Sequence, residues 1–524
     1  MSIASSLESG HGLSPLLARW QSLSASPALA VLDAAGSVSF QSAAERSRQL
    51  AAQLCSSGLG GCRIGLSSLP DRDWVEAFWA ILLAGGSVVP ISPLHPPPER
   101  AFFLRQSGAR AQLVSASLAA TMPESPVLRL VFAAGRLLTP LVSAPETTPP
   151  DISARAAATS CALLLYTSGT TGQPKGVPLS HDNIWSCVQT LISDWGMSPA
   201  DRLIHALPLH HVHGICVALL SAFCSGASTE LLARYEPVQV LESAARASVL
   251  MGVPTQHKRL VDHLDGLPEA ERQRCCERLR ALRLITSGSA KLPEQLGRRL
   301  EALSGQYPLE RYGMTEVGIV IGNPLHGRRK PGSCGRPLPN SEIRIVDELG
   351  RDVAPEQPGE LRIRGSSVFE GYDADPAASA AAFDSGFFKS GDTAQWTPDG
   401  FVQILGRTSV DIIKSGGYKL SAIEIEEQLR GHPWVHDVAV LGVPDETWGE
   451  RVVAVAVPAL AARAEIERRG DAAAQELRDW LKQRVAGYQV PKQIEWRSEL
   501  PRNAMGKVQK PELLRLLLAR SPLE

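Results

Sequence analysis

The chain has 524 residues, several times the size of an average domain, so we expect it to fold into more than one unit. Hydrophobic residues make up 44% and charged residues 20%, which excludes a disordered chain, a fibre and a coiled coil. The 53 basic and 54 acidic residues leave a net charge of -1, so no overall field favours nucleic acid or an anionic membrane, and small molecules are the expected partners.

The cysteines and the first residues indicate the compartment. The nine cysteines are scattered, and the adjacent pair Cys275 and Cys276 fits neither a disulfide framework nor a spaced metal site, so a reducing compartment is expected. The first forty residues carry three charged side chains, which is unlike a secretion signal or a mitochondrial transit peptide, and a cytoplasmic location is predicted. The apolar run 77–91 contains two glycines and a proline and is too short to cross a bilayer, so it predicts a buried helix followed by a strand.

Strand-like and helix-like patterns alternate through most of the chain, which is typical of an α/β fold. Strands are predicted at 162–166, 248–251 and 282–285, and helices at 238–246 and 269–280. From residue 359 to 406, short β-like pieces separated by Gly and Asp-Gly turns predict hairpins or a small barrel. After Arg407 a mixture of helices (421–429, 473–484) and strands (438–443, 452–457) predicts a small final domain.

The most informative stretch is Tyr166-Thr-Ser-Gly-Thr-Thr-Gly-Gln-Pro-Lys-Gly176, which directly follows the apolar strand. Its glycines permit close backbone approach, its hydroxyls can donate to phosphate oxygens and Lys175 adds a cation. The stretch therefore predicts a loop that binds polyphosphate. It is not a Walker loop, because Lys175 is followed by Gly176 rather than by Ser or Thr.

This stretch resembles the signature of the adenylate-forming superfamily, which includes acyl-CoA synthetases, adenylation domains of peptide synthetases and luciferases. Further matches follow in the order expected for that superfamily: Ser287-Gly-Ser-Ala290, Arg311-Tyr-Gly-Met-Thr-Glu316, Lys389-Ser-Gly-Asp392, Gly406-Arg407, Lys414-Ser-Gly-Gly-Tyr-Lys419 and Pro501-Arg-Asn-Ala-Met-Gly-Lys507. The resemblance implies an α/β fold in two parts. Residues 1–406 would form a large N-terminal domain of two β-sheets with helices plus a small β-barrel, and residues 407–524 a smaller, mobile α+β C-terminal domain.

The resemblance also implies the chemistry. A carboxylate attacks the α-phosphate of ATP to give an acyl-adenylate and pyrophosphate, and the thiol of coenzyme A then displaces AMP. ATP, Mg²⁺ and coenzyme A are thus expected. The C-terminal domain is expected to rotate about the segment after Arg407, exchanging Lys507 for the loop 414–419. Ser409 stands where many relatives have Asp or Lys at this hinge.

Individual roles follow from the same resemblance. The expected catalytic residues are Lys507, Glu316, Thr315 and His211, and Glu316 is also expected to carry Mg²⁺. The residues expected to bind ATP or coenzyme A are Thr167, Ser168, Gly169, Thr170, Thr171, Gly172, Lys175, Gly288, Ser289, Ala290, Tyr312, Asp392, Arg407, Gly416 and Gly417. Lys507 would neutralise charge between the acid and the α-phosphate, whereas Lys510 is expected to be a solvated cation.

The acid is predicted from Arg311, which stands where many relatives have a small or neutral residue. A buried guanidinium without a partner would cost several kcal/mol, so an anionic partner is expected. Together with Arg259 and Ser289, Arg311 is expected to hold a second carboxylate. This trio resembles malonyl-CoA synthetases, so malonate is the expected substrate, with methylmalonate as the alternative. The opposing interpretation is that the arginines pair with internal acids such as Glu310.

Other interpretations stay open. The three histidines of segment 208–214 have no further spaced ligand for zinc, and His211 is expected to lie nearest the acid. One alternative function is an adenylating enzyme that loads a different short acid onto coenzyme A or an acyl carrier protein. Another is a catalytically silent nucleotide-binding protein.

Overall fold

The computed structural model describes residues 14–122, 124–139, 160–167, 174–416, 418–502 and 508–519. Within these ranges the strands form four sheets, of seven, nine, five and five strands. In the same ranges, the helices are all too short or too polar to span a membrane.

The first part of the chain alternates strands and helices. Its elements are α1 (Pro15–Leu23), β1 (Leu29–Asp33), β2 (Gly36–Ser39), α2 (Phe40–Ser56), β3 (Arg63–Ser67), α3 (Arg72–Leu83), β4 (Ser87–Pro90), α4 (Pro97–Gln106), β5 (Ala111–Ser115), β6 (Leu128–Ala133) and β7 (Arg136–Leu137). The buried helix and strand predicted from the run 77–91 are α3 and β4. Trp74 and Phe78 of α3 stack with ring centroids 5.2 Å apart, and both are almost fully buried in the largest apolar cluster.

The second part carries the motifs that resemble the adenylate-forming superfamily. Its elements are β8 (Cys161–Thr167), β9 (Lys175–Ser180), α5 (His181–Asp194), β10 (Arg202–His205), a π-helical segment (His213–Leu220), α6 (Ser221–Ser225), β11 (Ser228–Leu231), α7 (Pro237–Ala244), β12 (Val249–Gly252), α8 (Pro254–Asp265), α9 (Glu269–Arg280), β13 (Leu284–Ser287), α10 (Glu294–Ser304), β14 (Leu309–Met314), β15 (Gly318–Gly322) and β16 (Arg336–Pro337). The predicted strands and helices of this part lie within two residues of β8, β12, β13, α7 and α9.

Two sheets run through these parts. The seven-stranded sheet has the order β7-β6-β5-β3-β4-β8-β9, and the nine-stranded sheet has the order β16-β15-β14-β13-β12-β10-β11-β1-β2. In the larger sheet β10, β12, β13 and β14 are neighbours and parallel. Their carboxyl ends therefore meet at one edge, which is where ligands bind in open α/β sheets.

The third part is antiparallel. It contains β17 (Ser341–Val346), β18 (Gly359–Gly365), α11 (Pro376–Ala382), β19 (Phe383–Asp384), β20 (Phe387–Trp396) and β21 (Val402–Arg407). The strand order is β17-β18-β20-β19, and β21 pairs with β20. This sheet occupies the region in which hairpins or a small barrel were predicted.

The last part has a sheet and an apolar core of its own. Its elements are β22 (Ile412–Ser415), β23 (Tyr418–Ser421), α12 (Ala422–Arg430), β24 (Val435–Asp445), β25 (Gly449–Pro458), α13 (Arg463–Arg469), α14 (Asp471–Lys482), β26 (Gln493–Trp496) and α15 (Lys510–Leu518). The strand order is β23-β22-β25-β24, with β26 on β25, and one face packs on α12 and α14. The α+β pattern predicted after Arg407 matches these elements, while the boundary at 406/407 stays a prediction.

The prediction that Lys510 is a solvated cation is wrong. Lys510 begins α15, and its side chain is 9% exposed. Its Nζ lies 2.5 Å from Asp411 Oδ1 and 2.8 Å from Glu426 Oε1, and both carboxylates are themselves largely buried. The sequence places Lys510 at a helix start, but α15 packs on β24 and β25, which brings Lys510 to Asp411 and Glu426.

Candidate active site

The register of two parallel strands brings the acid-binding candidates together. Ser287 of β13 pairs with Glu310 of β14, so the next residues, Gly288 and Arg311, are neighbours at the carboxyl edge of the sheet. A Cβ atom on Gly288 would lie 2.3 Å from Arg311 Cζ. The guanidinium therefore occupies the space that any larger residue at 288 would need.

Arg311 is a buried cation without a counter-ion in the described part of the chain. Arg311 is buried, and its Nε and Nη2 have no hydrogen-bond partner among the described residues. Burial lowers the pKa of the guanidinium from 12.5 to about 10. Such a group attracts an anion strongly, because pairing returns the electrostatic free energy lost on burial.

Glu310 does not neutralise Arg311 in the described structure. Consecutive residues of a strand point to opposite faces, so Glu310 of β14 turns away from its neighbour. Burial also raises the pKa of Glu310 to about 8, which keeps this carboxyl protonated at neutral pH. The interpretation that Arg311 pairs with this internal acid thus has no support in the contacts.

Ser289 and His213 adjoin the guanidinium. Ser289 Oγ lies 3.0 Å from His213 Nδ1, and His213 Nε2 has no partner within the described ranges. Burial, and secondarily the charge of Arg311, lower the pKa of His213 well below 6.5, so the ring is neutral. Ser289 has φ +66°, a strained conformation for a residue with a side chain, and His213 opens the π-helical segment. Both features recur at functional sites.

Sequence reasoning named His211 and missed His213. The His211 ring packs against His210, with centroids 4.1 Å apart, whereas His213 makes the contact with Ser289. Both histidines belong to one short motif, and its letters do not distinguish them. The π-helical segment that begins at His213 distinguishes them, because it directs the His213 ring toward Ser289.

The structure does not bring Arg259 to this cluster. Arg259 lies on an outward face of α8, and its side chain is half exposed. Its Nη2 lies 3.4 Å from Glu236 Oε2, and its guanidinium stands 5.3 Å from the centre of the Tyr235 ring. The described contacts group Arg311 with Ser289 and His213, and the part of Arg259 in the predicted trio stays a prediction.

A second group of predicted residues forms a polar corner between β14, β20 and β21. The Tyr312 hydroxyl donates to Asp392 Oδ2 at 2.5 Å, and Arg407 Nε lies 3.1 Å from Asp392 Oδ1. Arg407 also donates from Nη1 to the Ser390 carbonyl at 2.7 Å. The carboxylate is thereby held as a fixed acceptor beside a ring and a cation, which suits a sugar bearing two hydroxyls.

Glu316 and Lys175 meet through a residue that sequence reasoning missed, Tyr372. The Tyr372 hydroxyl donates to Glu316 Oε1 at 3.3 Å, and Lys175 Nζ stands 4.8 Å from the centre of the Tyr372 ring. Burial raises the pKa of Glu316, and a bound divalent cation would favour its ionised form. Glu316 thus fits a Mg²⁺ ligand, and half-buried Thr315 precedes it.

Several predicted residues lie outside the described ranges: Ser168, Gly169, Thr170, Thr171, Gly172, Gly417 and Lys507. The structure describes what flanks the phosphate loop, since Thr167 and Lys175 pair as neighbours of antiparallel strands. Gly416 has φ +57°, and a Cβ there would lie 3.2 Å from the Trp448 ring. Glycine is favoured at this position because of its left-handed backbone.

A cleft of about 260 Å³ lies between the second part of the chain, with residues 253–293, and the last part, with residues 411–510. The earlier elements contribute Ser289, Ala290 and Lys291, and the later elements contribute Glu427 and Lys510, among others. Arg502 and Val508, which flank the segment containing Lys507, also line it. Of the acid-binding candidates, Ser289 therefore lies at the boundary between the two parts.

The chain belongs to the AMP-binding enzymes. Residues 19–373 match the AMP-binding enzyme family, and residues 424–507 match the AMP-binding enzyme C-terminal domain. This result confirms the resemblance to the adenylate-forming superfamily.

Relatives and solved structures specify the class further. The chain is 38% identical to the mitochondrial malonate–CoA ligase of Mus musculus, over 93% of this chain and 88% of that protein. It is 35% identical to the malonate–CoA ligase of Arabidopsis thaliana, over 88% of this chain and 78% of that protein. The crystal structure of ATP-bound MatB from Rhodopseudomonas palustris superposes with a TM-score of 0.83 at 32% identity, covering 96% of this chain and 99% of that one.

MenE from Bacillus subtilis, in complex with ATP and a magnesium ion, superposes with a TM-score of 0.79 at 27% identity, covering 95% of this chain and 98% of that one. These matches confirm the predicted fold class and the enzyme class. The protein is an acyl-CoA synthetase, an ATP-dependent acid–CoA ligase that uses ATP, Mg²⁺ and coenzyme A. The alternative of a catalytically silent protein is thereby set aside.

Proposed function

We propose that this ligase activates malonate and forms malonyl-CoA through malonyl-adenylate, with release of AMP and pyrophosphate. The observation that carries the proposal is the buried guanidinium of Arg311, whose Nε and Nη2 have no partner among the described residues. A monocarboxylic acid has no charge left once its carboxylate is joined to AMP. Malonate retains a second carboxylate, which can pair with this cation. The malonate–CoA ligases among the relatives support the same acid.

The neighbours of Arg311 would complete the site for the second carboxylate. His213 Nδ1 and Ser289 Oγ form one hydrogen bond, in which either atom can be the donor. If His213 carries its proton on Nδ1, the Ser289 hydroxyl is free to donate to the carboxylate. If the proton is on Nε2, the ring itself can donate. Either tautomer thus offers one neutral donor beside the guanidinium.

The remaining roles stay proposals, and the match to the AMP-binding enzyme family supports them. Asp392 and Arg407 would bind the ribose hydroxyls, and Tyr312 would frame the adenine with the backbone of 288–290. Residues 167–172 and Lys175 would hold the terminal phosphates, Thr315 the α-phosphate and Glu316 the Mg²⁺. Lys507 would stabilise the charge that develops during adenylation, and Gly416 and Gly417 would admit the thiol arm.

Methylmalonate as substrate, and an acyl carrier protein as acceptor, are the alternatives to malonate and coenzyme A. The cytoplasmic location also stays a prediction, and the Mus musculus relative is named as a mitochondrial protein.

The test is a screen of AMP release with ATP, Mg²⁺ and coenzyme A. Malonate, methylmalonate and succinate are compared with acetate, butyrate and benzoate at equal concentration. We expect malonate to give the highest kcat/KM and the monocarboxylates to give little AMP. Equal turnover of butyrate and malonate would contradict the proposal. Product analysis with coenzyme A and with a phosphopantetheinyl carrier protein identifies the acceptor.

A further inference from the structure

An ion pair joins the two sides of the cleft. Lys291 Nζ lies 2.6 Å from Glu427 Oε2, and each side chain is 23% exposed. Lys291 directly follows the loop 288–290 that carries Ser289, whereas Glu427 belongs to helix α12 in the last part of the chain. The pair therefore links the acid-binding loop to the C-terminal part of the chain.

Glu427 also caps a helix of the N-terminal part. Helix α10 begins at Glu294 after Pro293, and proline has no side-chain group that could accept the first N–H donors. Glu427 Oε1 accepts the Glu294 N–H at 3.2 Å. A carboxylate at a helix N-terminus is also stabilised by the helix dipole. Helix α10 thus receives from α12 the cap that its own N-cap residue lacks.

These contacts belong to one orientation of the C-terminal part. In this orientation Arg502 and Val508, which flank the segment containing Lys507, line the cleft together with Ser289. A rotation about residues 407–411 would carry α12 away from α10 and separate Glu427 from Lys291. The ion pair of Lys510 with Glu426 lies within the C-terminal part, so it would move with that part.

We propose that Glu427 is a positioning residue, a latch on Lys291 and on the first turn of α10 that holds the C-terminal part in the orientation for adenylate formation. The latch opens before the thiol of coenzyme A attacks. It acts through the orientation of α12 and does not touch the reacting atoms. The inference rests on the proposed function for the acid used in the assay and on the two-step reaction of the enzyme class.

The experiment separates the two half-reactions of the full-length enzyme. Adenylation is followed by malonate-dependent exchange of pyrophosphate into ATP, and thioester formation is followed with supplied malonyl-AMP and coenzyme A. We expect E427A to slow adenylation roughly tenfold, because it removes both an ion pair and a helix cap. E427Q, which keeps a neutral acceptor for the Glu294 N–H, and K291M should each cost less. Thioester formation should not fall in any of them.

Two further variants make the readout specific. The matched control is E301Q, which removes the charge of an exposed glutamate farther along α10 and should leave both half-reactions unchanged. The double variant K291M/E427A should be no slower in adenylation than E427A alone, because both substitutions break one shared contact.

Hydrogen exchange supplies a readout that does not depend on activity. In E427A the amides of residues 294–297 should exchange faster than in the wild type, while the rest of α10 keeps its protection. Equal loss of both half-reactions, no loss in either, or unchanged exchange at 294–297 would overturn the latch. If the wild type uses another acid and rejects malonate, the malonate proposal fails, and the same assays with that acid still decide the latch.

Discussion

The substitution R311M tests the charge of the acid site most directly. A pKa lowered from 12.5 to about 10 means that burial disfavours the charged guanidinium by roughly 3 kcal/mol. Methionine has a similar length and no charge, so it should remove this cost in the ligand-free enzyme. We therefore expect the free energy of unfolding to rise by about 1 to 3 kcal/mol. Malonate recognition should instead lose about 2 to 5 kcal/mol, as when one partner leaves a buried ion pair.

Two assays measure these opposite effects. Urea denaturation without ligands gives the free energy of unfolding, and the ratio of kcat/KM for malonate to that for butyrate gives the selectivity. The ratio should fall by roughly thirtyfold or more. The matched control is R259M, which removes a guanidinium that is half exposed and faces Glu236, and it should change the ratio little. A destabilised R311M with unchanged selectivity would refute the reasoning, and an equal loss in R259M would show that this arginine reaches the acid.

Three other substitutions probe the packing around and beyond the site. In G288A the new Cβ would lie 2.3 Å from Arg311 Cζ, so we expect the malonate-to-butyrate ratio to fall at least roughly tenfold, and an unchanged ratio would contradict the crowding. K510M leaves Asp411 without Lys510 while Glu426 keeps its ion pair with Arg430, so the free energy of unfolding in urea should fall by about 3 kcal/mol, and a loss below about 1 kcal/mol would show that the Asp411 carboxylate relaxes. Burial raises the pKa of Glu76 from 4.5 to about 8, so the folded protein holds a proton that the unfolded chain releases, and stability declines as pH rises through this window. E76Q removes that decline, so its free energy of unfolding should gain roughly 3 kcal/mol over that of the wild type between pH 5 and pH 8. Parallel pH profiles of the two proteins would contradict the raised pKa of Glu76.

The order of local motifs was enough to predict the enzyme class and the α/β fold class, whereas the loop for polyphosphate stays a prediction because residues 168–173 lie outside the described ranges. Helix α9 begins and ends at the predicted residues, and the strand before the phosphate loop is β8. Such features can be predicted from the sequence because strand and helix periodicity, and the turn residues between elements, depend on a few neighbouring positions.

What the sequence left open was which polar side chains share a space. The register of β13 and β14 sets Arg311 beside Gly288, and the π-helical start turns His213 rather than His211 toward Ser289.

The burial of Arg259 and of Lys510 could not be predicted from the sequence either. The first was expected in the pocket and lies on the surface, and the second was expected in solvent and lies in a buried ion pair. Each difference depends on which elements pack against a helix face, and contacts between elements far apart in the chain decide that. The sequence by itself therefore determined the chemistry that this protein carries out, while tertiary packing decided which charges are buried, paired or left to meet a substrate.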